Sequence, residues 1–286
     1  MEVMLEITPP SKRASQQQLA SAVNRLATLV KSSGCVDSIN IPEITEENHH
    51  GQPLYRNIDT REYGILLRKA TGKRIIVNRI SVYMSSEPTL EAWLDETAAK
   101  YGIHDIVLVG GNSPLRKYLG PTVTRANELA SKRQGLNIGN ICIPDRANEL
   151  ERILGKTKSG CKFFTTQILL ESEPACKLLE AYASECKKRN LKPAAFYLSF
   201  APVASMLDIE LFKWFGVAFP PETETRLLKS QDLGKESVLI SNEVFSEILR
   251  FANEHSLGVP LHLNVEAIMM QNLHLAEEML NTIKPK

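Results

Sequence analysis

The segment LEITPP places one carboxylate, Glu6, a single position before the end of a short apolar run, and the Thr8-Pro9-Pro10 turn behind it stops that run. Glutamate is disfavoured in a buried strand unless it is paired or in use. Glu6 therefore reads as a general acid at a strand end or, more plainly, as a solvated rim residue. Gln167 sits in the apolar run FFTTQILL. A buried amide needs donors and acceptors; the edge of a flat heterocycle supplies both, and so does neighbouring backbone. The ends of the other candidate strands add Asn40, Asn112, Phe200 and Asn264. One acid, several neutral amides and an aromatic suit a site that holds a flat, hydrogen-bonding ring and delivers one proton. They do not suit a metal: the adjacent His49 and His50 point different ways on any regular element, as solvated loop residues do. Neither a nucleophile elbow nor a strand-end lysine for Schiff-base chemistry is present. The turn Gly110-Gly111-Asn112-Ser113-Pro114 is either a tight strand-to-helix connection or a place where a ligand nears the backbone.

These positions are set out by short strands that alternate with amphipathic stretches along the whole chain. The strands read as Val3 to Ile7, Ser38 to Ile41, Arg74 to Ser81, Asp105 to Val109, Asn137 to Ile143, Phe163 to Ile168, Ala194 to Ser199 and Pro260 to Leu263. Helical patterns follow them, among them Gln17 to Lys31, Pro174 to Arg189, Met206 to Phe215, Asn242 to Glu254 and Glu266 to Ile283. Eight such strand–helix units without a composition break predict an α/β protein, a single (β/α)8 TIM barrel over residues 1–286. In such a barrel the active site lies at the C-terminal strand ends. A doubly wound open sheet is the alternative, and it lacks its G-x-G-x-x-G fingerprint. The polar loop from Pro42 to Asn57 is long enough to be functional or mobile.

The chain has 286 residues, 34 basic and 33 acidic, for a formal charge of +1. That balance argues against a nucleic-acid or membrane-surface partner. Five cysteines without a C-x-x-C pair argue against a disulfide framework or zinc ribbon and for a reducing cytosol. No signal peptide and no bilayer-spanning apolar run is recognisable. The expectation is a soluble cytoplasmic protein; a homo-oligomer stays open.

Taken in order, LEITPP, VLVGGNSP, KSGCKFFTTQ, APVAS with Phe212, and LHLN resemble the methylenetetrahydrofolate reductase family over nearly the whole chain. The resemblance implies a tetrahydropterin substrate and a nicotinamide cofactor, NAD(P)H. Glu6 matches the family's general acid, Gln167 the glutamine that bonds the pterin, and Phe212 the aromatic that packs on substrate or nicotinamide. Asn112 and Asn40 fall in with these as substrate contacts. Tyr118, Lys156 and Asn264 fall where the family contacts its flavin.

The departures concern that flavin. The family's R-G-D turn is here Gly110-Gly111-Asn112, its L-N-R is Leu263-Asn264-Val265, and ICIPDR lacks the usual histidine. FAD, the family default, is therefore doubtful, and the pattern resembles a flavin-independent member in which NAD(P)H passes hydride directly to the substrate. The implied activity is reduction of 5,10-methylene-tetrahydrofolate, or a related tetrahydropterin, to the 5-methyl form. Glu6 is expected to protonate a bridge nitrogen, with a pKa raised by partial desolvation. The alternative is a non-catalytic pterin-binding or partner subunit of a one-carbon complex. An unrelated barrel lyase or aldolase lacks the glycine-rich phosphate loops such a barrel carries.

Overall fold

A computed structural model describes residues 1–47, 53–111 and 117–283. Eight strands close a barrel: β1 (Val3–Ile7), β2 (Ser38–Ile41), β3 (Arg74–Ile80), β4 (Asp105–Val109), β5 (Asn137–Cys142), β6 (Phe163–Ile168), β7 (Ala195–Phe200) and β8 (Leu261–Ala267). All eight are parallel and follow one another in chain order around the barrel, which is the (β/α)8 fold read from the alternation. The helices are α1 (Gln16–Ser33), α2 (Thr60–Thr71), α3 (Glu87–Ala99), α4 (Val123–Ser131), α5 (Glu149–Lys158), α6 (Glu173–Lys188), α7 (Met206–Trp214), α8 (Pro221–Lys229), α9 (Leu233–Glu254) and α10 (Leu273–Thr282).

The chain divides into two compact units, one of Glu6–Ile141 with Gly155–Phe163, the other of Met1–Leu5, Cys142–Leu154 and Phe164–Lys286. The first contains β2 to β4 and most of β5. In it, Asn40 pairs with Ile76 and Ile41 with Val77, and on the next strand Asn78 pairs with Val107. A Cβ placed on Gly64 of α2 would meet Ile41 and Ile75, so the odd-numbered residues of β2 and β3 face the helices. Alternation then turns Ser38, Asn40, Ile76 and Asn78 to the opposite face.

Sharp local signals set the helix ends of this unit. Ser15 and Gln18 form a reciprocal capping box at the start of α1, and Gly34 takes the left-handed conformation (φ 64°) that ends it. Asp59 caps α2 by accepting from the Arg61 amide at 2.8 Å.

The second unit is built around aromatic and aliphatic packing. Phe164, Tyr182 and Phe196 form a ring cluster with centroids 5.0–6.3 Å apart. Val203, Ile209, Phe212 and Val217 close a core against Ile168 and Leu170. After β7 the chain turns at Ala201 to Ser205, and Ser205 with Asp208 makes a capping box that starts α7.

The structure departs from the sequence reading at three places. β8 continues to Ala267 instead of stopping at Leu263, so Glu266 lies in a strand and α10 begins only at Leu273. α9 starts at Leu233, nine residues before the expected Asn242, because Asp232 caps it there by accepting from Lys235 N at 3.1 Å. The long loop carries a two-residue antiparallel ladder between Glu46–Glu47 and Pro53–Leu54.

Gly120 is fixed by close backbone approach. Its N–H donates to Val82 O at 3.1 Å, and an added Cβ would fall 2.3 Å from Ser81 O and 2.7 Å from Met84 O. Backbone cannot give way as a side chain does. Gly120→Ala is expected to lower stability by about 2 kcal/mol, read as a reduced midpoint in urea unfolding at unchanged m.

Candidate functional site

Glu6 occupies the C-terminal end of β1 and is half-buried, with its carboxylate Oε2 accepting from Asn40 Nδ2 at 2.6 Å. Asn40 itself is fully buried in β2. Because the amide nitrogen must serve the carboxylate, the orientation of Asn40 is fixed and its Oδ1 is turned away. That oxygen, Asn78 Oδ1 and Ser38 Oγ are buried and have no hydrogen-bond partner among the described residues. All three stand on the same face of β2 and β3. Asn78 is a residue that sequence reasoning missed, although an asparagine inside RIIVNRIS was the signal for it.

The turn after β1 and the segment entering α2 enclose a cavity of about 220 Å³ lined by Lys12, Glu43, Tyr55, Arg79 and Trp93 among others. The segment is sewn to the turn by Lys12 N to Arg56 O (2.8 Å), Ile58 N to Pro10 O (3.0 Å) and Asn57 Nδ2 to Pro9 O (2.5 Å). One wall is a ladder in which cations and rings alternate. Lys12 lies over Tyr55 and Arg79 over both Tyr55 and Trp93, at 5.4–6.0 Å from the ring centres. Arg61 lies over Trp93 (5.1 Å) and Tyr101 (4.7 Å), and Lys100 also lies over Tyr101 (5.0 Å). Glu43 pairs with Arg79 and also accepts from Ile80 N at 2.7 Å. Burial pushes the Glu43 carboxyl up, against the opposing charge of Arg79. Burial also raises Asp59, but the hydrogen bonds and charge of Arg61 outweigh it and hold that carboxyl below its ordinary value.

The residues expected at a flavin are engaged elsewhere. Lys156 Nζ donates to Ile141 O at 2.7 Å. The Tyr118 ring meets Tyr83 edge-on at 5.8 Å and covers Gly111, where an added Cβ would fall 2.3 Å from it. So the close approach that Gly111 permits is made by Tyr118. Asn112, with His49 and His50, lies outside the described residues.

In the second unit, Gln167 sits at the C-terminal end of β6, as expected, and is half-buried. Its Nε2 donates to Phe215 O at 3.3 Å and its Oε1 accepts from Ile168 N at 3.2 Å, the backbone-bonded alternative. It borders a cavity of about 30 Å³, room for little beyond ordered water. Phe212 is not available to stack on a ligand: it is 1% exposed, inside the apolar core. The accessible rings are Trp214 and Phe215, tilted against each other at 5.3 Å. Phe200 is likewise buried, edge-on to Phe245 at 5.8 Å.

β8 supplies a carboxylate at a position where the sequence pattern predicts a helix. Glu266 is buried, and its Oε1 accepts from Asn264 Nδ2 at 3.4 Å. The same Nδ2 donates to Ser199 Oγ at 2.9 Å. The pattern His262, Asn264, Glu266 against Leu261, Leu263, Val265 was the available signal.

Among the described residues, no group of three or more His, Cys, Asp and Glu side chains could hold a metal. No helix among them is long and apolar enough to cross a membrane. All five cysteines are free thiols. Burial pushes Cys161 up to about 12 and Cys176 up to about 11, so neither is a thiolate nucleophile near neutral pH.

No family model and no curated protein matches the chain. Among solved structures, an uncharacterized protein from Clostridium thermocellum that binds two copies of 5-methyl-5,6,7,8-tetrahydrofolic acid is 21% identical, with a TM-score of 0.81 over 99% of this chain and 94% of that one. The two share a fold. The tryptophan synthase complex from Pyrococcus furiosus (11% identity, TM-score 0.53, 99% and 97% covered) and the spore cortex-lytic enzyme of Bacillus cereus (11%, 0.50, 98% and 74%) are more distant barrels.

The two aromatic positions on α7 separate cleanly in a mutation series. Phe212→Ala is expected to cost about 3–5 kcal/mol in urea unfolding, the usual loss for a buried phenylalanine. Trp214→Ala, at a side chain 75% exposed, should stay within about 0.5 kcal/mol of the parent.

Proposed function

We propose that this protein binds a reduced folate and reduces 5,10-methylene-tetrahydrofolate, or a related tetrahydropterin, to the 5-methyl form with hydride from NAD(P)H. The observation that carries this reading is Glu6 at the end of β1 with the Asn40 amide 2.6 Å away. A lone carboxylate held in a fixed orientation at a barrel mouth is where a general acid belongs. The whole-length similarity to a barrel that binds 5-methyl-5,6,7,8-tetrahydrofolic acid supports the choice of ligand.

The substrate holds its one-carbon unit as a bridge between two nitrogens. Glu6, protonated, gives its proton to N10 as the N10–carbon bond breaks, leaving an iminium at N5. NAD(P)H, when bound, would supply the hydride that completes the 5-methyl group at that carbon, leaving as NAD(P)⁺. The Glu6 carboxylate left behind stabilises the iminium by charge, and Asn40 keeps it aimed. Gln167 is the proposed ligand amide of the second unit, since its present bonds, both to backbone, can be exchanged for a ligand's.

The residues present do not fit a flavin. A pyrophosphate and an anionic reduced ring need cationic partners when desolvated. The positions matched to the family's arginines are Gly110 and the fully buried Val265, and Lys156 is tied to the Ile141 carbonyl. Hydride transfer is therefore proposed to be direct, within a ternary complex. The second reading, a binding subunit without catalysis, draws on the fact that the Clostridium protein's ligand carries the methyl group of the product.

Nicotinamide oxidation followed with 5,10-methylene-tetrahydrofolate tests the activity. Glu6→Gln is expected to slow turnover roughly 10²- to 10⁴-fold while binding of 5-methyl-tetrahydrofolate is retained; unchanged turnover would remove Glu6 from the mechanism. A wild-type protein that binds the methyl form but oxidises no NAD(P)H belongs to the second reading.

Purified protein is expected to be colourless and to show sequential kinetics. A yellow protein with ping-pong kinetics would restore the flavin.

A further inference from the structure

Asn78 is 6% exposed, its Oδ1 is buried without a partner, and its amide makes no hydrogen bond among the described residues. The reason is visible in the register. Its neighbour on β4 is Val107, and β2 ends at Ile41 opposite Val77, so neither flank offers a polar side chain. On the same face, Asn40 has given its nitrogen to Glu6 and presents a second buried oxygen without a partner. An asparagine desolvated in this way loses its water bonds and gains nothing from the chain, unless a partner arrives from outside.

What arrives must bring donors. The face offers two amide oxygens, one of them on the asparagine bonded to the Glu6 carboxylate, and a phosphate or carboxylate placed there would meet acceptors only. A hard cation would want about six to eight oxygens, more than this face provides. We propose that Asn40 Oδ1 and Asn78 Oδ1 form a donor-reading subsite, which accepts from adjacent N–H groups along one edge of the ligand's ring. The chemical class is a heterocycle with a ring N–H next to an exocyclic amine, the arrangement in a 2-amino-4-oxopyrimidine. The subsite rests on the reduced-folate reading and specifies which edge of that ligand the β2 and β3 ends recognise.

The nearly isosteric Asn78→Leu separates a ligand-reading amide from a structural one. Replacing an oxygen without a partner by carbon should leave the melting temperature of the ligand-free protein unchanged or raised. Calorimetric titration with 5-methyl-tetrahydrofolate should show affinity reduced about tenfold or more. The 2-desamino analogue should bind wild type about tenfold more weakly than the parent compound, with that discrimination lost in the variant. Asn78→Ala, which adds no volume, should show the same loss of affinity and controls for packing.

Wild-type affinity in both variants, or a fall of several degrees in both melting temperatures, overturns the subsite while the folate reading stands. A wild-type protein that does not bind 5-methyl-tetrahydrofolate overturns both, and the wild-type titration tells the two failures apart.

Discussion

Every polar side chain on a closed face of these strands has surrendered its bonds to water, and the loss has to be met by something in the protein or something that enters it. Much of the structure follows from how each group meets it. Asn140 and Asn127 exchange amide hydrogen bonds at 2.7 and 3.1 Å and so join β5 to α4. Asn264 bridges Ser199 and Glu266 across β7 and β8. Asn40 serves Glu6 with its nitrogen and leaves its oxygen open, and the Asn78 side chain bonds to nothing among the described residues. Where the chain closes its own circuits it is building a barrel; Ser38 Oγ, Asn40 Oδ1, Asn78 Oδ1 and Thr165 Oγ1 are buried and left open among the described residues.

The barrel was legible because alternation is a strong constraint. Each of the eight strands was recognisable as a short apolar run between helical stretches. The one strand read too short, β8, has His262, Asn264 and Glu266 on one face, so its apolar run looked finished at Leu263. Strand polarity at a functional face and strand termination carry the same mark in a sequence. Phe212 illustrates a different loss. Asp208, Ile209 and Phe212 are the buried stripe of α7, while Leu207 and Trp214 are exposed. An aromatic type near a motif does not say which side of a helix it takes, and a shift of one residue turns it by about 100°. Glu6 and Gln167 were recognisable as strand-end polar residues because a polar side chain in an apolar strand contradicts its surroundings; the bond from Asn40 to Glu6, between strands far apart in sequence, was not.

Similarity at 21% identity across 99% of the chain shows how little of a barrel's sequence is needed to keep its form. Other barrels at 11% identity include a tryptophan synthase complex and a cortex-lytic enzyme, two proteins named for different activities. Architecture therefore says where to look and is silent on what is done there. In this chain the proposed answer rests on a few groups: Glu6, the Asn40 amide that orients it, and the open oxygens of Asn40 and Asn78.

The ladder of alternating cations and rings has a consequence for how the molecule can be observed. The chain contains two tryptophans. Trp93 is 9% exposed and lies between the guanidinium groups of Arg79 and Arg61, whereas Trp214 is 75% exposed. One belongs to each compact unit. Intrinsic fluorescence therefore divides into a shielded emitter next to the cavity of the first unit and a water-exposed emitter on α7 of the second. A soluble quencher such as iodide reaches only the exposed one. The signal that survives it reports on the surroundings of a single ring, so loosening of the first unit can be followed by its own light without adding a label.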